Sequence, residues 1–121
     1  MASELAISAS MKFSKGSSEP LLAMLNKVFD VSGTQFQMMR QSVGTSEEAI
    51  NLGEVATGGW FFAINRAAAN FVSIRQATGG TNFIRLNVGE FCLFRIHASS
   101  AAPFWISDTA SSEVEFLLIP A

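Results

Sequence analysis

Asn82-Phe83-Ile84-Arg85-Leu86-Asn87-Val88-Gly89-Glu90-Phe91-Cys92-Leu93-Phe94-Arg95-Ile96 holds two short apolar blocks, 83–88 and 91–96, joined through Asn87, Gly89 and Glu90. Each block is too short for an ordinary helix and is bounded by turn-forming residues, so both read as strands. Working outward, the same grammar recurs at 60–64, 71–75, 104–106 and 114–119, with Gly, Asn, Ser, Asp or Pro between the runs. From 51 to 121 no helix-length segment interrupts it. Strands spaced by roughly ten residues are the pattern of an antiparallel sandwich or barrel. The expected fold class is therefore all-β, an antiparallel β-sandwich forming a single domain over 1–121.

The turns suggest how these strands pair. Gly58 and Gly59 lead into Trp60, Phe62 and Ile64, which face opposite to Phe61 and Ala63. The connector 65–70 carries Asn at both ends, and 71–75 returns from it, so 60–64 and 71–75 are expected to form a hairpin. Thr78-Gly79-Gly80-Thr81-Asn82 is a tight loop of residues that tolerate positive φ, and it joins Ile74 to Ile84. Asn87-Val88-Gly89-Glu90 is expected to do the same before Phe91. Arg75, Arg85 and Arg95 fall in three successive strands, where they read as solvent-facing side chains whose stems cover apolar surface, the alternative being that some of them line one sheet face together.

The first part of the chain is less uniform. Leu5, Ile7, Ala9, Met11 and Phe13 alternate with Ser8, Ser10 and Lys12, the period of a half-buried strand, and Lys15-Gly16-Ser17-Ser18 marks a turn. Segment 21–31 fits two patterns. Leu21, Leu22, Met24, Leu25, Val28 and Phe29 make a helical stripe behind Pro20, whereas the surrounding strands put a strand slightly ahead; a short helix or an interface arm over 20–31 is the alternative expectation. Phe36, Met38 and Arg40 resume alternation. Thr45-Ser46-Glu47-Glu48 then supports one helical turn or a strand entered through an acidic turn.

Composition limits the function classes. A chain of 121 residues suits one domain with a real core, without metal or disulfide staples. The single Cys92 lies in an apolar run, where a free Cys acts as a small buried hydrophobe. Eight basic and ten acidic residues, with no basic cluster, leave no electrostatic footprint for nucleic acid or an anionic membrane. Residues 1–10 lack the features of a secretory signal, and no run reaches membrane-spanning length, so synthesis in the cytoplasm is expected. Yet only 15% of residues are charged, against about 25% ordinarily, and 49% are hydrophobic. A small sandwich cannot hide all of that apolar area, which places part of it at subunit contacts.

No chemistry-bearing constellation converges. His97 is the sole histidine, just past 91–96 and before the small-residue loop 98–102. A metal site would need distant carboxylates such as Glu90 or Asp108, and a serine nucleophile would lack its Gly-x-Ser-x-Gly elbow. Glu113 and Glu115 share one strand face, but alternation with Val114, Phe116 and Leu118 reads as an ordinary solvated face. Neither glycine pair has the Lys and helix of a phosphate-binding loop. The expected catalytic, metal and cofactor sets are therefore empty, and the protein is read as a non-enzyme. Eleven Phe and two Trp with no Tyr favour dry packing in the core and at interfaces. Trp60 and Trp105 remain candidates for a lectin-like patch.

Val43-Gly44-Thr45-Ser46-Glu47-Glu48-Ala49-Ile50-Asn51-Leu52-Gly53, Gly59-Trp60-Phe61-Phe62-Ala63-Ile64-Asn65, Ala69-Asn70-Phe71-Val72-Ser73-Ile74, Leu86-Asn87-Val88-Gly89-Glu90-Phe91, Asp108-Thr109-Ala110 and the ending 114–119 resemble small virion structural proteins of tailed bacteriophages. The resemblance implies a jelly-roll-like subunit of the particle, located in the virion and assembled in the host cytoplasm. It further implies a capsid decoration (cement) protein on the major capsid protein lattice, commonly a homotrimer, with no catalytic residues. Leu21, Leu22, Leu25, Phe29, Phe104 and Trp105 are the expected contact residues. Two alternatives share this fold: a tail, neck or baseplate component, and a carbohydrate-binding module.

Overall fold

The computed structural model describes residues 4–17, 19–97 and 103–121, so Ser18 and the loop 98–102 lie outside the described residues. The chain runs through β1 (Leu5–Lys12), β2 (Leu21–Phe29), β3 (Gln37–Val43), β4 (Glu48–Ala49), β5 (Gly58–Asn65), β6 (Val72–Arg75), β7 (Asn82–Leu86), β8 (Phe91–Arg95), β9 (Phe104–Ser107) and β10 (Ser112–Pro120). Among the described residues no helix occurs, and the all-β expectation holds. Two compact units divide the chain, Met1–Ser32 and Gly33–Ala121. The sandwich occupies the second.

The first unit is the antiparallel hairpin β1-β2. The helical alternative over 20–31 is not adopted, because pairing with the alternating strand β1 satisfies the backbone of Leu21–Phe29 as a strand. Register slips between Ile7 and Ala9, where Asn26 takes φ 54° and its N–H donates to Ser8 Oγ at 2.8 Å. Asn tolerates this left-handed conformation better than most residues, which suits it to a bulge. Pairing places Leu5, Ile7, Ala9 and Met11 on one face with Phe29, Lys27, Met24 and Leu22. The opposite face carries Ala6, Ser10 and Lys12 with Val28, Ala23 and Leu21. One side is thus apolar except for Lys27.

The second unit contains two four-stranded antiparallel sheets, ordered β3-β10-β5-β8 and β4-β9-β6-β7. Consecutive strands alternate between the sheets except for the β6-β7 hairpin, which gives the doubled Greek-key order of a jelly roll. That hairpin is the one expected from the Gly79-Gly80 loop, with Ile74 directly across from Ile84. The hairpin expected between 60–64 and 71–75 does not form. β5 pairs with β10 and β8, whereas β6 pairs with β7 and β9, so connector 65–70 crosses from one sheet to the other. The turn 87–90, closed by Glu90 N–H to Asn87 O at 3.0 Å, likewise links opposite sheets and makes no hairpin. Gly89 accommodates it with φ 80°.

Inward-facing residues from both sheets meet in one core. Val43, Phe61, Ala63, Val114, Phe116 and Leu118 come from the first sheet, and Val72, Ile74, Leu86 and Trp105 from the second. An aromatic cluster stands at its centre, with Phe61 5.3 Å from Phe94 and 5.5 Å from Phe116, and Trp105 5.6 Å from Phe116 between ring centroids. These separations are those of favourable tilted aromatic pairs. Gly59 allows the chain's last residues to approach β5, since a Cβ there would lie 2.9 Å from Pro120 O.

Candidate interaction surfaces

An antiparallel sheet with one solvated face alternates apolar and polar residues along each strand, whereas continuous apolar runs mark strands covered on both faces. Trp60-Phe61-Phe62-Ala63-Ile64, Phe91-Cys92-Leu93-Phe94 and Phe116-Leu117-Leu118-Ile119 are continuous runs, and all three lie in the first sheet. Register shows where their second halves go. Met38, Leu117, Phe62 and Leu93 form one row straight across all four strands on the outer face. Arg40, Glu115, Ile64 and Phe91 form the next. Phe62 and Phe91 meet edge to face at 5.8 Å, on the outside of the protein, with Phe91 61% and Met38 60% exposed. In the middle of this face Glu115 Oε1 accepts from Arg66 Nε at 2.9 Å and lies 4.0 Å from Arg40, while Glu113 and Arg95 stand on the same face toward its two ends. The strand runs carried this signal, which reading them only as core strands missed.

The hairpin unit supplies a second such surface. Met11 and Leu22, directly across from each other, are 78% and 81% exposed. Of the expected contact residues, Leu22 and Phe29 lie on the apolar face of the hairpin, while Leu21 stands on the other and Leu25 sits in the bulge segment. Leu21, Leu22 and Leu25 are exposed, and Phe29 is half-buried. Phe104 is half-buried on β9. Trp105 is corrected from contact residue to core residue: strand alternation turns it inward opposite Ile74, where it is fully buried. Among the described residues its indole N–H meets no acceptor.

The remaining polar groups do not converge. Arg75 and Arg85 lie in the second sheet and Arg95 in the first, so the three share no face. Arg75 Nη1 donates to Glu47 Oε1 at 2.6 Å, and Gly79 N–H donates to the same oxygen at 2.8 Å. Those bonds hold the Glu47 carboxyl below its ordinary pKa, the Gly79 amide contributing most. The Arg85 guanidinium stacks 3.7 Å above the Phe71 ring, a cation–π contact. A cleft of about 610 Å³ opens among Ile74, Phe83, Ile84, Phe94, Arg95 and His97, with mostly apolar walls. Cys92 faces inward across from Ala63, and burial pushes its thiol up to about 11. Among the described residues no group of three or more His, Cys, Asp or Glu could hold a metal ion.

No family model matches this chain, and neither the curated proteins nor the solved structures provide a match.

Proposed function

We propose that this protein is a structural subunit of a tailed-bacteriophage virion, a capsid decoration protein that acts as a homo-oligomer, a trimer by the resemblance, on the major capsid protein lattice. The observation carrying this reading is the pair of uncovered apolar surfaces, one on the hairpin and one across the first sheet. Monomeric proteins seldom expose contiguous apolar patches of that kind, and a subunit that must bury area against copies and lattice needs them. The likeness of 43–53, 59–65, 69–74, 86–91 and 114–119 to phage virion proteins supplies the class of particle. A glycan-binding reading is weaker, since Trp105, one of its two aromatic candidates, lies in the core.

Particles assembled with and without the protein provide the test. A subunit that binds only the assembled lattice stabilises it by mass action, about 2.7 kcal/mol at a hundredfold excess over Kd. Particles carrying the protein are expected to withstand heating that disrupts particles lacking it. Equal resistance, with the protein bound only at the tail or vertex, would replace decoration by the tail, neck or baseplate role.

A further inference from the structure

We propose that the hairpin of one copy docks its apolar face on the outer face of the β3-β10-β5-β8 sheet of a second copy. The inference rests on the homo-oligomer in the reading above and is independent of where that oligomer sits. A two-stranded hairpin is marginal alone in water and needs a surface against its apolar side. Met11 and Leu22 on that side are exposed, and so are Met38 and Phe91 on the sheet. One chain therefore carries both an apolar arm and an apolar platform, in equal number.

Spacing and charge fit the two together. On the hairpin, Lys27 is the sole charge on the apolar face, and its partner Ile7 lies four residues before Met11. On the sheet, Glu113 lies four residues before Leu117 on the same outer face. Four residues of strand span about 14 Å in each case. Setting Met11 and Leu22 over the row of Leu117 and Phe62 brings Lys27 to Glu113. It also puts Ala9 over Ile64 and its partner Met24 beside Glu115 in the next row. The area fits as well: strands of eight and nine residues, about 28 Å long in a ribbon about 10 Å wide, cover roughly 300 Å². Each docking then buries roughly 600 Å² in total, and a subunit of a closed ring, giving its arm to one neighbour and receiving the arm of the other, takes part in about 1,200 Å², comparable to the lower bound of a stable interface.

Sedimentation mass of the full chain and of point variants tests this. Leu22→Asp and Phe62→Asp are each expected to reduce the wild-type oligomer to single chains, while Ser10→Asp, on the other hairpin face, leaves it intact. In an equimolar mixture of the Leu22→Asp and Phe62→Asp proteins only the arm of the second and the sheet face of the first are both intact, so at most one-to-one pairs, weaker than the wild-type oligomer, are expected. Far-ultraviolet circular dichroism verifies folding, and Met11→Asp replaces Leu22→Asp should that variant unfold. An oligomer that survives both arm variants, or one that survives Phe62→Asp, would overturn arm exchange and leave the oligomer reading standing. A wild-type protein that is monomeric at every concentration would overturn both.

Discussion

Asn65 and Leu86 tie the two sheets together: the Asn65 side chain on β5 donates through Nδ2 to the carbonyl of Leu86 on β7 at 2.9 Å. The same amide donates to Asn70 O at 3.0 Å and accepts from Ala67 N–H at 2.9 Å. Asn65 is fully buried, and both ends of its amide are satisfied. It thus closes the crossing from one sheet to the other and fixes the connector 65–70.

Asn65→Leu is expected to destabilise the protein by about 2 to 4 kcal/mol, because the Leu86 carbonyl and Ala67 N–H lose their partner inside the protein. Urea denaturation at constant slope would measure it. A loss below about 0.5 kcal/mol would mean that the connector finds substitute partners.

Phe116 and Phe62 separate the two faces of one sheet. Phe116 is buried and meets the rings of Phe61 and Trp105, so Phe116→Ala is expected to cost about 3 to 5 kcal/mol. Phe62, on the outer face, is expected to cost about 1 kcal/mol or less when truncated in the isolated chain. Equal losses at the two positions would reverse the assignment of faces.

Strand existence was legible because short apolar runs punctuated by Gly and Asn admit little else, as with 83–86 and 91–95 flanking Gly89. Pairing was not. The residues of 60–64 and 71–75 look like hairpin partners by separation, and only the buried amide of Asn65 and the pull of a two-layer core send the second strand to the other sheet. Leu21–Phe29 was ambiguous because its apolar side chains satisfy a helical stripe and a strand equally, and the deciding partner, β1, lies across a turn. Trp105 was misplaced because parity along a four-residue strand cannot be read without a neighbour to fix its inward face.

Acidification should release the Glu47 tie. Its folded pKa is lowered from 4.5 by the Gly79 N–H and by Arg75, so its contribution is present above that value and lost as pH falls through the lowered one. Glu47→Gln is expected to flatten this part of the acid limb in a plot of stability against pH. An unchanged acid limb would show that the ion pair between 47 and 75 contributes nothing in solution.

Alkaline conditions probe Cys92 in the opposite direction. The thiol faces the core opposite Ala63, and desolvation raises its pKa from 9.0 to about 11. The folded state therefore holds its proton more tightly than the unfolded chain. Stability from this group is complete below pH 9 and is lost as pH rises from 9 to 11. The full linkage is on the order of 2 kcal/mol. Cys92→Ser removes the titration, so its stability should be flatter across that window even though the buried hydroxyl lowers the baseline. In the native wild-type protein, thiol reagents should react with Cys92 far more slowly than with the denatured chain at pH 8, since both thiolate fraction and access are reduced. Native and denatured rates that coincide would place Cys92 on the surface and remove the alkaline prediction with it.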